Sequence, residues 1–89
     1  MTEQTQIDTT LNSREQEYGP FKSQARLTQT MLNACFEHKN WQELSQDKKE
    51  AIHMILHKIA RIVNGNPDNI DSWHDIQGYA KLVEDDLKS

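Results

Sequence analysis

Ile52, Ile55, Leu56, Ile59, Ile62 and Val63 recur at steps of one, three and four residues, and nothing nearby competes with the helix this spacing dictates. At 3.6 residues per turn, such steps return apolar side chains to one face. Phe21, Ala25, Thr28, Leu32 and Cys35, flanked by Met31 and Phe36, form a second stripe of this kind. Trp73, Ile76, Ala80, Val83 and Leu87 form a third. A half-buried strand would need strict alternation bounded by turn residues, and the chain has no such run. The expected fold class is all-α, a small three-helix bundle.

Glycine and proline divide the stripes. Pro20 suits the first turn of a helix over about 20–38. The stretch KNWQELSQ reads as a connector, with Trp41 and Leu44 folding back onto the core. A second helix spans about 45–64. Ser45 or Asp47 is placed to cap it, and Asp47 with Glu50 has capping-box spacing. It should stop at Asn64-Gly65, with Gly65 in the left-handed position that follows many helices. NGNPDNID is a turn by composition. A third helix over about 71–87 then starts at Asp71 or Ser72.

Residues 1–16 are polar, with Ile7 and Leu11 as their large apolar side chains. They cannot bury enough surface to offset ordering entropy, so they read as a mobile arm or a short surface helix. Residues 17–89 form the helical domain, in the size range where one core is marginal. The single Cys35 allows no internal disulfide, and no cysteine cluster could hold structural zinc. Oligomerisation is the remaining route to stability, so a homo-oligomer is expected.

The formal net charge is −4, with Lys and Arg interleaved among acids. Duplex binding draws its affinity from a basic footprint, so neither nucleic acid nor an anionic membrane is the expected partner. The sequence has no signal-peptide pattern, and no stretch approaches the roughly 20 apolar residues of a membrane span. A small phosphorylated ligand requires only a few well-placed cations.

Opposite its isoleucines, the second helix carries Met54, His57, Lys58 and Arg61, with His53 at the margin. On the third helix Asp71, Asp75, Gly78, Leu82 and Asp86 share one side, and Tyr79 lies between that side and the core. The short turn makes the two helices antiparallel neighbours, which brings Lys58 and Arg61 towards Asp71 and Asp75. Charges on such faces are ordinarily solvated, and exposed pairs contribute about 0–1 kcal/mol. Gly78 argues for more, because glycine inside a helix costs about 1 kcal/mol relative to alanine. A ligand or another backbone approaching there would account for it.

Two chemistries fit these residues. Asp71 and Asp75 could coordinate Mg²⁺, with Glu50 a candidate third carboxylate, while Lys58 and Arg61 bind phosphate and a metal-activated water attacks phosphorus. Alternatively, the cations and Tyr79 hold a nucleotide without reaction. His53 and His57 have helical metal-ligand spacing, but no glutamate follows His53 and a further ligand would have to come from His38 or His74. They read as solvated histidines, and Cys35 as a core residue.

Tyr18-Gly19, Lys58-x-x-Arg61 and Asp71-Ser72-Trp73-x-Asp75-Ile76-x-Gly78-Tyr79-Ala80 together resemble a family of small, uncharacterised, phage-encoded helical domains. The resemblance covers about residues 14–83. More distantly it extends to nucleotide-modification-associated domains and to the MazG-like all-α nucleoside triphosphate pyrophosphatases. That group is oligomeric and holds Mg²⁺ with Glu-Glu-x-x-Glu and Glu-x-x-Asp motifs. Asp71 and Asp75 fall near the second motif; the first is missing, since Lys58 and Arg61 stand where a hydrolase would carry acids.

The resemblance implies a phage accessory protein in the cytoplasm of the infected host cell. It would bind a nucleotide or cyclic nucleotide through Lys58, Arg61, Gly78, Tyr79 and Tyr18. Sequestering a host immune signalling nucleotide is one form of that role. The rivals are a Mg²⁺-dependent pyrophosphohydrolase and a protein–protein inhibitor of a host enzyme.

Overall fold

The computed structural model describes residues 3–89, so residues 1 and 2 of the expected arm lie outside the described part. The chain order is α1 (Glu3–Tyr18), α2 (Phe21–Phe36), α3 (Asn40–Glu43), α4 (Gln46–Asn64) and α5 (Ile70–Lys88). The described residues contain no strand, and none of their helices is long and apolar enough to cross a membrane. The three expected helices are α2, α4 and α5. Two more join them. Residues 3–18 form a regular but polar helix, and the connector contains the single turn α3, where Trp41 meets Phe36 edge-to-face at 5.0 Å.

α4 is the hub. α2 and α5 both pack on it and make no substantial contact with each other, while α1 meets α2 and α4. The result is an open layer of helices instead of a closed bundle. The Cα radius of gyration is 15.5 Å, against about 12 Å for a compact domain of this length.

This openness explains which expected core residues stay wet. Leu32, Ala51, Ala60 and Ile62 are the buried apolar residues, joined by Gln24, Thr28 and Ser72. Phe21, expected in the core, is 75% exposed. Trp73, Ala80 and Leu87 are exposed as well, because α5 turns its Ser72, Ile76, Tyr79 and Val83 line towards α4 and has no second neighbour.

The helix ends differ from expectation in instructive ways. Ser45 occupies the N-cap position of α4 and Asp47 lies within its first turn, so Asp47 and Glu50 form no capping box. Glu50 instead faces His53 at 3.5 Å. The N-cap of α5 is Asn69, whose side chain accepts the Ser72 amide at 2.9 Å; Asp71 and Ser72 are helical. Gly65 has φ −135°, not the left-handed conformation. That conformation belongs to Gly19 (φ +77°), which ends α1 by donating its amide to Glu15 O at 2.7 Å, just before Pro20.

Both glycines serve one junction. A Cβ on Gly19 would strike the Asn64 carbonyl oxygen, and one on Gly65 would strike the Glu17 carbonyl oxygen and the Tyr18 backbone. The α1–α2 turn and the α4–α5 turn therefore cross backbone against backbone. Asn64 Nδ2 donates to the carbonyls of Tyr18 and Pro20 at 2.8 and 3.0 Å. The Asn66 amide donates to Glu17 O at 2.6 Å, and the side chains of Asn69 and Asn66 donate to the Glu17 carboxylate at 2.8 and 3.2 Å. Those two side-chain bonds, from Asn69 first, hold the Glu17 carboxyl below its ordinary pKa.

Candidate functional site

The expected site residues divide into two neighbouring groups on α4's polar face, one built on Lys58 and one on Arg61, and the Arg61 charge still reaches Asp75. In the first, Lys58 Nζ lies 2.9 Å from Asp75 Oδ2. The hydrogen bond from Lys58, then the Lys58 charge, lower the Asp75 carboxyl from its ordinary value. Gly78 and Tyr79 border a shallow groove with His74, Asp75 and Leu82. A Cβ built on Gly78 meets nothing within 4 Å. The close backbone approach that sequence reasoning sought at Gly78 is made at Gly19 and Gly65 instead.

The second group is Arg61 with Tyr18. The last turn of α1 sets Tyr18 beneath α4, and the Arg61 guanidinium carbon sits 4.1 Å from the centre of its ring. Arg61 Nε is hidden from solvent with no acceptor, and the guanidinium makes no hydrogen bond or ion pair among the described residues. The cation and the ring form one wall of a pocket of about 340 Å³, which Leu11, Arg14, Glu15, Gly19, Phe21 and Gln24 also line, so two cations and one carboxylate face it. That volume lies at the small end of the roughly 300–1,000 Å³ typical of small-molecule sites.

Behind the pocket, Gln24 Nε2 donates to His57 Nδ1 at 3.3 Å. This bond requires a neutral ring with its proton on Nε2. Burial lowers the His57 pKa, and the charges of Arg61, Lys58 and His53 lower it further. The bonded, neutral ring is thus the favoured form, and His57 belongs to the packing of α2 on α4.

The resemblance to Mg²⁺-dependent enzymes sets a further requirement, which the donor set does not meet. The Asp75 carboxylate already holds an ammonium, Asp71 is exposed, and Glu50 faces His53. Among the described residues no group of three His, Cys, Asp or Glu side chains gathers closely enough to hold a metal ion.

Sequence reasoning missed Arg14, Phe21 and Gln24 as pocket residues. Reading residues 1–16 as a mobile arm or short surface helix outside the core concealed Arg14, which stands at helical spacing from both Leu11 and Tyr18.

Residues 4–86 match the family described as Domain of unknown function (DUF6378). The chain belongs to the DUF6378 family. No curated protein and no solved structure matches the sequence significantly. In this DUF6378 domain, Tyr18-Gly19 ends α1 and supplies the ring under Arg61, while Asp75 ties α5 to Lys58.

Proposed function

We propose that this DUF6378 domain binds a small phosphate-bearing ligand of nucleotide type in the pocket between α1, α2 and α4. The observation carrying the reading is the Arg61 guanidinium, stacked on Tyr18 with its Nε buried and without a hydrogen-bond acceptor. An oxyanion at its edge supplies the acceptors it lacks, in the forked geometry that suits arginine to phosphate. Arg14 adds a second cation to the lining, against the one carboxylate of Glu15, so the pocket keeps a net positive charge. The exposed ring of Phe21 gives a base or other flat group a surface to stack on.

The roles of the remaining residues follow. Lys58 is committed to Asp75 and acts as a strut between α4 and α5. Tyr18 fixes the plane of Arg61. Binding without turnover is the form this arrangement supports, consistent with a sequestering role towards a signalling nucleotide. The phage setting rests on the sequence resemblance described above.

A thermal-shift screen with inorganic phosphate, pyrophosphate, mononucleotides and cyclic dinucleotides tests the proposal. A ligand at 100 times its Kd stabilises by about 2.7 kcal/mol, a clear rise in Tm for a domain of this size. The rise should vanish in Arg61→Gln, and the ligand should be recovered intact after denaturation. No shift with any phosphate-bearing compound, or an equal shift in Arg61→Gln, rejects the reading. Mg²⁺-dependent release of product would favour the rival pyrophosphohydrolase instead.

A further inference from the structure

The isoleucine stripe of α4 has no cover on one side. Ile52, Leu56, Ile59 and Val63 follow at steps of four, three and four, and so share a face; the first three are half-buried and Val63 is 68% exposed. On α5, Trp73, Ile76, Ala80, Val83 and Leu87 alternate steps of three and four, as in a heptad seam. Ile76 and Val83 lean on α4, while Trp73 and Leu87 stand 53% and 65% exposed and Ala80 is exposed too. The Lys58–Asp75 pair joins the opposite flanks of the same two helices. The two stripes therefore make one apolar face, turned away from Arg61 and its pocket.

We infer that this face docks on the same face of a second copy of the chain, related by a two-fold axis. Three observations select that occupant. First, the core of one chain is too small: among the described residues four apolar side chains are buried, and no large one is fully enclosed. A single layer of helices must bury its apolar side against another layer, and a second copy supplies it. Second, the accessible surface is 6871 Å², whereas a compact monomer of 10.4 kDa exposes about 5,400 Å². The excess of about 1,500 Å², to which the projecting α1 contributes, compares with the roughly 800 Å² per partner of a standard interface.

Third, the charges permit self-association. The chain carries −4, so a charged face would repel its own copy. The stripes contain no charged residue, and the neighbouring charges on α5 are paired within the helix, Lys81 with Asp85 at 2.9 Å and Lys88 with Glu84 at 3.7 Å. Isologous docking needs a patch complementary to itself, and this apolar, locally neutral face provides one.

Sedimentation equilibrium on the full chain decides the matter. The wild type should show twice the 10.4 kDa chain mass. Val63→Glu and Leu87→Glu should each halve that mass with helical circular dichroism retained, since both side chains are exposed in the single chain. Leu82→Glu, on the opposite flank and also exposed, should leave the dimer intact.

A wild type that stays at 10.4 kDa at every concentration overturns the inference. So does an assembly that survives both glutamates, or one that Leu82→Glu dissolves instead. Should the glutamate variants fail to fold, Trp73 emission in a Trp41→Phe background replaces them. A blue shift with rising concentration supports the dimer and constant emission refutes it. The Arg61 pocket lies away from this face, so the phosphate-induced thermal shift should persist in Val63→Glu.

Discussion

The Lys58 ammonium, 13% exposed, meets an Asp75 carboxylate that is 42% exposed, at 2.9 Å. The cation is the more enclosed partner, so removing the anion strands a charge away from water. Asp75→Asn should therefore lower Tm more than Lys58→Met, which leaves its carboxylate accessible to solvent. The folded Asp75 carboxyl is depressed, so its contribution is present above the ordinary carboxylate pKa of about 4 and disappears as pH falls through the lower folded value. Melting curves at neutral pH and near pH 3 should show the difference between wild type and Asp75→Asn shrinking in acid.

His57 produces a second pH effect at higher pH. Its folded pKa lies below the ordinary value near 6.5, so between those two values the unfolded chain binds the extra proton. Stability should decline as pH falls from about 6.5 towards the depressed value, then cease to depend on this group. Tm measured from pH 7.5 to 5 should show this slope in the wild type and a flatter line in His57→Gln.

The three glycines should respond in opposite directions to alanine. Gly78→Ala adds a Cβ that meets open space and replaces the poorest ordinary helix former, so stability should rise by about 0.5–1 kcal/mol. Gly19→Ala forces an L residue into the left-handed region at about 1–2 kcal/mol, and its Cβ also strikes the Asn64 carbonyl. Gly65→Ala drives a methyl into the α1 backbone. Chemical denaturation of the three variants should rank Gly78→Ala above wild type and the other two below it.

Tyr18 should act on binding through Arg61. Its ring contributes about 0.5–1 kcal/mol to holding the guanidinium, so Tyr18→Leu should weaken phosphate-ligand affinity by about 2–5-fold. Tyr18→Phe keeps the ring face and should bind like wild type. Titration calorimetry with the best ligand from the thermal screen separates the two variants.

Helix identity was legible in the sequence because three apolar stripes keep helical spacing, and α2, α4 and α5 end within a few residues of the expected limits. The approach of Lys58 to Asp75 was legible too, since a short turn leaves antiparallel packing as the simple choice. α1 was legible only as one of two alternatives, a mobile arm or a short surface helix, because its helix is polar and is anchored through the distant residues Asn64, Asn66 and Asn69. Local spacing cannot report such contacts. The partition of Lys58 from Arg61 was hidden for the same reason, since the ring that engages Arg61 comes from α1. Ser72 reads as a cap by type, but Asn69 takes that position and Ser72 is buried against α4.

The junction of Gly19 with Gly65 also orders events during synthesis. Residues 3–18 leave the ribosome before α4, yet the groups that fix the direction of their helix are Asn64, Asn66 and Asn69. A nascent chain can coil this segment but has nothing to anchor it to until most of the polypeptide has emerged. The Tyr18 ring reaches Arg61 only once α4 and the turn after it have emerged, so α1 docks well after it is made.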